Sequence, residues 1–268
     1  MPSYKDQTGR QVTIRKSPKR IVSLVPSQTE LLFDLGLNKE VAGITRFCVH
    51  PGSWSEQKAI VGGTKSVKKE VIDAIKPDLI LANKEENVKE QIEELSLQYP
   101  VWVSDVNNLR TALHMIGQVG LITGTSSCAD SLIEEIKSGF ETIIPVTQQP
   151  STCYLIWKRP LMTIGGDTFI HDMLTRCGFQ NMFANQTRYP EITIEQLQAN
   201  EGNSCRLLLL PSEPFPFKQK HVAELQQELP GTVILLVDGE MFSWYGSRLN
   251  QAQAYFKKLL ATIDRKMQ

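Results

Sequence analysis

Ile21–Val25 is a short apolar run between the basic pair Lys19-Arg20 and Pro26, and its length and branched side chains predict a buried strand. Ser27 and Glu30 then stand at capping-box spacing ahead of Leu31 and Leu32, which predicts a helix starting at Ser27 and stopping at Gly36. Val41–Ile44 reads as the next strand and Val71–Ile75 as a helix. Lys76-Pro77-Asp78 turns into strand Leu79–Ala82, Val88–Leu95 is helical, and Pro100 introduces strand Val101–Val103, which stops at Ser104-Asp105. Strands alternating with helices imply a mostly parallel sheet with crossover helices.

The middle of the chain breaks this rhythm. Leu109–Ile122 reads as a helix interrupted near Gly124. Ser126 or Ser127 can cap a second helix running to about Ile144, with Leu132, Ile133, Ile136, Phe140 and Ile143 at helical spacing. About 18 residues at 1.5 Å each span roughly 27 Å, a stiff connector. Beyond Pro145–Pro150 the first pattern returns. Cys153–Trp157 is a strand, Gly165-Gly166-Asp167 a loop, and a helix carries Phe169, Ile170, Met173 and Leu174 up to Gly178. Helix Ile194–Ala199 leads through Glu201-Gly202-Asn203 to strand Leu207–Leu210, and helix His221–Leu229 leads to strand Val233–Val237, ending at Asp238. The final helix is Gln251–Ile263. The order of elements matches the first half and reads as a structural duplication. The expected division is residues 1–122 as an N-terminal α/β lobe, 123–150 as a connecting helix, and 151–268 as a C-terminal α/β lobe.

Composition narrows the function. Of 268 residues 41 % are apolar, enough for two real cores, and 29 basic residues balance 29 acidic ones. That balance lacks the basic footprint of a nucleic-acid binder. No apolar run is long enough to span a bilayer, so a membrane-spanning chain is not expected. The start, MPSYKDQTGR, contains no apolar signal core, which points to the cytoplasm if Met1 is the true start. The cysteines Cys48, Cys128, Cys153, Cys177 and Cys205 are odd in number and form no CxxC pair, so reduced thiols are expected and a zinc site is not.

Ligands of open α/β sheets bind beyond the carboxyl ends of the strands. In the first half those positions are Ser27 and Gln28, Arg46 to His50, and Asn83 to Asn87. In the second they are Lys158, Arg159 and Met162, Ser212 to Phe217, and Glu240 to Arg248, with Arg188 and Tyr189 nearby. The last of these loops contains Phe242, Trp244, Tyr245 and Arg248 where polar turn residues are the rule. One reading is a stacking surface with a counter-charge for a large planar or anionic ligand. Phe47, Trp157 and Tyr189 would add to it, with Arg46, Arg159, Arg188 and Arg248 as cations. The other reading packs these aromatics beneath their own loop. Cys48 and His50 are the weak candidates for a bare metal, short of the usual four ligands. Gly62-Gly63-Thr64-Lys65 lacks full phosphate-loop spacing, and neither Gly-x-Ser-x-Gly nor HExxH occurs.

The runs RIVSLVPSQTELLFDLGL, VAGIT, KPDLILAN and YPVWVSD together resemble the cobalamin and iron-chelate class of ABC-transporter substrate-binding proteins, over nearly the whole chain from about Tyr4 to Ile263. The resemblance implies two Rossmann-like lobes joined by a single long backbone helix, with a ligand cleft between the lobes. It implies a non-enzymatic protein without intrinsic cofactor, binding a corrinoid or ferric siderophore, delivering it to an ABC permease dimer, and working in the periplasm. The cleft positions of the family's cobalamin binders fall on Ser27, Phe47, Met162, Tyr189, Glu240 and Trp244, whereas Thr64, Asn83 and Met162 stand where those proteins have aromatic side chains. The acidic residues that dock such proteins on the permease correspond to Glu70 and Glu195, each seven positions before the Pro77 or Gly202 that precedes a strand. Two other functions use the same scaffold: a corrinoid- or tetrapyrrole-handling enzyme, with His50 or Glu240 as its acid or base, and a bare-metal carrier.

Overall fold

The computed structural model describes residues 2–14, 17–198 and 204–267. They form two compact units. Unit 1 comprises the described residues up to Val106 together with Arg110–Lys137 and Trp244–Leu249; unit 2 comprises Asn107–Leu109, those within Ser138–Ser243, and those from Asn250 onward.

Unit 1 opens with an antiparallel hairpin, β1 (Ser3–Lys5) and β2 (Gln11–Thr13), which the sequence pattern does not announce because only Val12 of its strands is buried. Then come β3 (Ile21–Ser23), α1 (Pro26–Asp34), β4 (Val41–Ile44), α2 (Trp54–Gln57), β5 (Ala59–Ile60), α3 (Lys69–Ile75), β6 (Leu79–Asn83), α4 (Lys89–Ser96) and β7 (Val101–Ser104). The parallel sheet runs β5-β4-β3-β6-β7. Its inner strands are buried on both faces, which is why they read as unbroken apolar runs. Val22, Leu24, Ile80, Ala82, Val101 and Val103 pack against Ile72 of α3 and Ile92 and Leu95 of α4. Each such side chain contributes about 1.5–3 kcal/mol when fully buried.

Helices α5 (Leu109–Thr123) and α6 (Ser126–Glu141) follow. A Cβ on Gly120 would lie 2.4 Å from that of Ala129, so α6 folds back tightly on α5. Most of α6 thus belongs to unit 1, and the chain enters unit 2 between Lys137 and Ser138. α6 ends at Glu141, short of the expected Ile144.

Unit 2 contains β8 (Ser151–Tyr154), β9 (Trp157–Lys158), β10 (Leu161–Met162), α7 (Phe169–Arg176), β11 (Gln180–Asn181), β12 (Glu191–Ile192), α8 (Ile194–Gln198), β13 (Leu207–Pro211), α9 (Gln219–Glu228), β14 (Val233–Val237), α10 (Glu240–Ser243) and α11 (Leu249–Met267). Its parallel sheet runs β11-β8-β13-β14, and a small antiparallel sheet runs β12-β10-β9. Cys153, Leu208, Leu210 and Ile234 pack with Leu197, Leu225 and Leu229. Numbered in chain order within each unit, β4-β3-β6-β7 and β11-β8-β13-β14 both run 2-1-3-4, the duplication read from the sequence. Ala199 and the turn Glu201-Gly202-Asn203 lie outside the described residues.

The start of α1 differs from expectation. The helix begins at Pro26, a residue suited to the first helical position, and Val25 makes no side-chain cap. Ser27, the expected cap, lies inside the helix and is buried, and the Glu30 carboxylate is drawn to Arg248 instead of the helix start.

Candidate functional site

In unit 1 the loops beyond the strands are tied together by two asparagines. Asn87 Nδ2 donates to the carbonyls of Leu24 (3.3 Å) and Thr64 (3.0 Å), and Asn83 Oδ1 accepts from the backbone N–H of Glu85 at 2.8 Å. The loop after β4 is anchored by Arg46 N donating to Gly62 O at 2.9 Å. Its tip carries the Arg46 guanidinium 5.2 Å over the Phe47 ring, and Phe47 is 49 % exposed. An exposed aromatic beside an exposed cation is a surface that can stack on a planar ligand and neutralise an anionic one.

Trp244, Tyr245 and Arg248 occupy a different place from the one expected. They belong to unit 1, although Ser243 and Asn250 on either side belong to unit 2. Trp244 is 6 % exposed, Tyr245 5 % and Arg248 7 %. Arg248 donates from Nε and Nη2 to the two oxygens of Glu30 at 3.0 and 2.6 Å, and its guanidinium lies 5.1 Å over the Trp244 ring. Trp244 meets His50 edge to face at 5.4 Å, and Tyr245 Oη donates to Glu86 Oε1 at 2.7 Å. Gly246 is required by close approach: a Cβ there would lie 2.3 Å from Ser27 O. Burial raises the Glu30 carboxyl above its ordinary range despite the pull of Arg248, and burial with the Glu86 carboxylate raises the Tyr245 hydroxyl well above its own. The segment therefore packs as a core of its own, and the Arg248 charge is already matched by Glu30.

Phe242 likewise packs inside its unit. It is fully buried in unit 2, with its ring 4.8 Å from Phe256 and 5.3 Å from Tyr154, and so supports the sheet. Glu240 begins the short helix α10, its N–H bonded to Asp238 Oδ1 at 3.1 Å.

Unit 2 displays its own aromatics and cations. Trp157 and Met162 face each other in register on the β9–β10 hairpin, not on an irregular loop. Trp157 is 42 % exposed, donates from Nε1 to Arg159 O at 3.1 Å, and packs edge-on against Phe215 at 5.5 Å. Arg159 is exposed and Met162 half-buried. Arg188 and Tyr189 lie on a loop pressed against Gly165 and Gly166, whose N–H groups donate to Arg188 O and Gln186 O at 2.8 and 2.9 Å. A Cβ on either glycine would collide with that loop's backbone. Arg188 lies 5.7 Å over Tyr189.

Cys48 does not form a metal site with His50. Its Sγ lies among the hydroxyls of Thr29 (3.0 Å) and Thr45 (3.2 Å), and burial raises its thiol pKa, opposing the thiolate a metal needs. No group of three or more His, Cys, Asp or Glu is arranged for a metal among the described residues. Glu70 and Glu195 are exposed at corresponding places, the second residue of α3 and of α8, and those helices feed β6 and β13, which occupy the same position in their sheets. A hydrogen bond from the Thr193 side chain lowers the Glu195 pKa and keeps it ionised.

The comparisons with known proteins agree with the two-sheet α/β fold. A family model described as periplasmic binding protein matches residues 21–206. An uncharacterized ABC transporter substrate-binding lipoprotein of Bacillus subtilis is 29 % identical over 204 residues, 72 % of this chain; that match covers 64 % of the relative's own length. A vitamin B12-binding protein of Vibrio parahaemolyticus is 24 % identical over 192 residues, 69 % of this chain and 70 % of that one. Among solved structures, the periplasmic catecholate-siderophore binding protein of Vibrio cholerae superposes with a TM-score of 0.78 at 15 % identity, covering 96 % of this chain and 99 % of that one.

Proposed function

From the premise that this chain belongs to the periplasmic binding protein family, we propose that it captures a metal chelate, a corrinoid or a ferric siderophore, and delivers it to an ABC permease. The observation that carries this reading is the repeated nearness of aromatic and arginine: Phe47 under the Arg46 guanidinium in unit 1, Tyr189 under that of Arg188 in unit 2, and exposed Trp157 and Arg159 on the β9–β10 hairpin. Aromatic faces suit the flat, partly apolar body of a tetrapyrrole or catecholate, and guanidinium groups suit its carboxylate or phenolate edges. The relatives named above, one binding vitamin B12 and one a catecholate siderophore, support the same ligand class. The proposed site of action is the periplasm, as for the siderophore-binding protein.

Glu70 and Glu195 are the docking residues for a two-fold permease, their repeat in the two units matching a repeated partner. Glu195 borders a depression of about 440 Å³ lined also by Leu161, Ile194, Leu225, Glu228 and the ion pair Lys158–Glu224. The test is direct titration with cyanocobalamin and, separately, a ferric catecholate chelate, followed by tryptophan quenching. Micromolar or tighter stoichiometric binding of either supports the reading; binding of neither overturns it, and turnover of the chelate would replace it with an enzyme.

A further inference from the structure

The segment Trp244–Leu249 is a strap: its neighbours in sequence on both sides belong to unit 2, while the segment itself packs on unit 1. It crosses three of unit 1's strand-end elements. Gly246 lies on the first turn of α1, Trp244 lies against His50 of the loop after β4, and Tyr245 bonds Glu86 of the loop after β6. Arg248 closes the strap by its two-pronged pair with Glu30 on α1.

The seam differs from an ordinary core. Among the described residues, two polar atoms buried in and beside it, Gln28 Oε1 and Ser247 Oγ, have no hydrogen-bond partner. Native cores rarely leave such groups unsatisfied, and each makes the closed arrangement less favourable than a fully matched one. Its anchor is a buried ion pair, whose desolvation offsets much of its attraction. A seam built this way separates at lower cost than the sheet beneath it, where Leu79, Ile80, Leu81 and Ala82 are completely buried.

We infer that Trp244–Leu249 is a reversibly docked strap, anchored by Glu30 and Arg248, that positions the loops carrying Phe47–His50 and Glu85–Asn87. The inference goes beyond ligand identity. What those loops hold rests on the proposed function, but docking is read without any ligand.

Hydrogen–deuterium exchange on the intact chain tests it, comparing wild type with Arg248→Met and Tyr245→Phe. In wild type the strap amides should exchange faster than those of β6, because the strap opens locally. Arg248→Met should speed exchange at 244–249 and 45–50 by at least about tenfold, with β6 and β13 remaining the slower-exchanging segments. Tyr245→Phe, which removes one hydroxyl and is the milder change, should speed exchange at 84–87 and 244–249. The inference is overturned if the strap exchanges only as fast as β6 in wild type or in either variant, since that result makes it permanent core. It is equally overturned if neither variant changes exchange at 244–249 and 45–50.

Discussion

Arg248 and Glu30, 218 positions apart, face each other with both guanidinium donors on both carboxylate oxygens, and each side chain is about nine-tenths buried. Breaking such a pair by removing one partner costs about 3–5 kcal/mol, because it strands the other charge. Arg248→Met should therefore lower Tm near neutral pH, by on the order of 10 °C for a chain of this length. Thermal denaturation by circular dichroism measures it.

The same variant has a pH signature. Glu30 is faced by Arg248, His50 and Asp34, and burial sets its folded pKa above the ordinary 4.5. A carboxyl raised on folding contributes stability that is fully present below its unfolded pKa and is lost as pH rises through the folded value. Without Arg248 that folded pKa rises further and the loss deepens. The Tm deficit of Arg248→Met should thus be largest near neutral pH and shrink as pH falls toward 4.5. A deficit constant with pH would mean that the stranded Glu30 charge is not its cause.

Four of the five cysteines are buried, and Cys128 is exposed. Burial raises the thiols of Cys48 and Cys153 and pushes those of Cys177 and Cys205 up to about 12. The thiolate is the reactive form. A maleimide at mildly alkaline pH should label Cys128 quickly and the other four only after denaturation, which mass spectrometry of the labelled chain would count.

What the sequence discloses and conceals follows from range. Val22, Ile80 and Leu208 lie in strands covered on both faces, so burial there leaves a continuous apolar run that a reader of the chain can see. The hairpins β1–β2 and β9–β10 are short, with strands of only two or three residues, so their alternation is too brief to register. Ser27 and Glu30 have the spacing of a local cap, but Glu30 serves Arg248. Tyr245 likewise depends on Glu86, 159 positions away. The aromatics of the strap were visible as an anomaly in a loop; which unit they would join is a property of those distant partners.

The docking residues offer a functional test. Glu70 and Glu195 are exposed and are not among the aromatic and arginine residues proposed to hold the ligand, so Glu→Ala at either should leave chelate affinity unchanged. An exposed ion pair is worth about 0.2–1 kcal/mol, so each change should slow uptake by up to about fivefold, and the double change by more. Uptake assays in whole cells against binding by the purified variants separate the two effects. Normal uptake by the double variant would remove the docking role.

Trp157 is the residue on which ligand stacking is best judged. It is 42 % exposed and braced on one side by Phe215, so its removal opens no cavity in the sheet core. An aromatic anchor covered by a ligand contributes about 2 kcal/mol or more, and Trp157→Ala should weaken chelate binding by at least roughly thirtyfold. Its Tm should stay within a few degrees of wild type, as for a surface change. Trp244→Ala should give the converse, a lowered Tm, because Trp244 is buried between His50 and Arg248. Arg159→Ala beside Trp157 should weaken an anionic catecholate more than neutral cyanocobalamin, since it removes a charge and little apolar surface. Measuring affinity and Tm on all three variants assigns each side chain to ligand or to packing. Intact affinity in Trp157→Ala would move the stacking surface away from the β9–β10 hairpin.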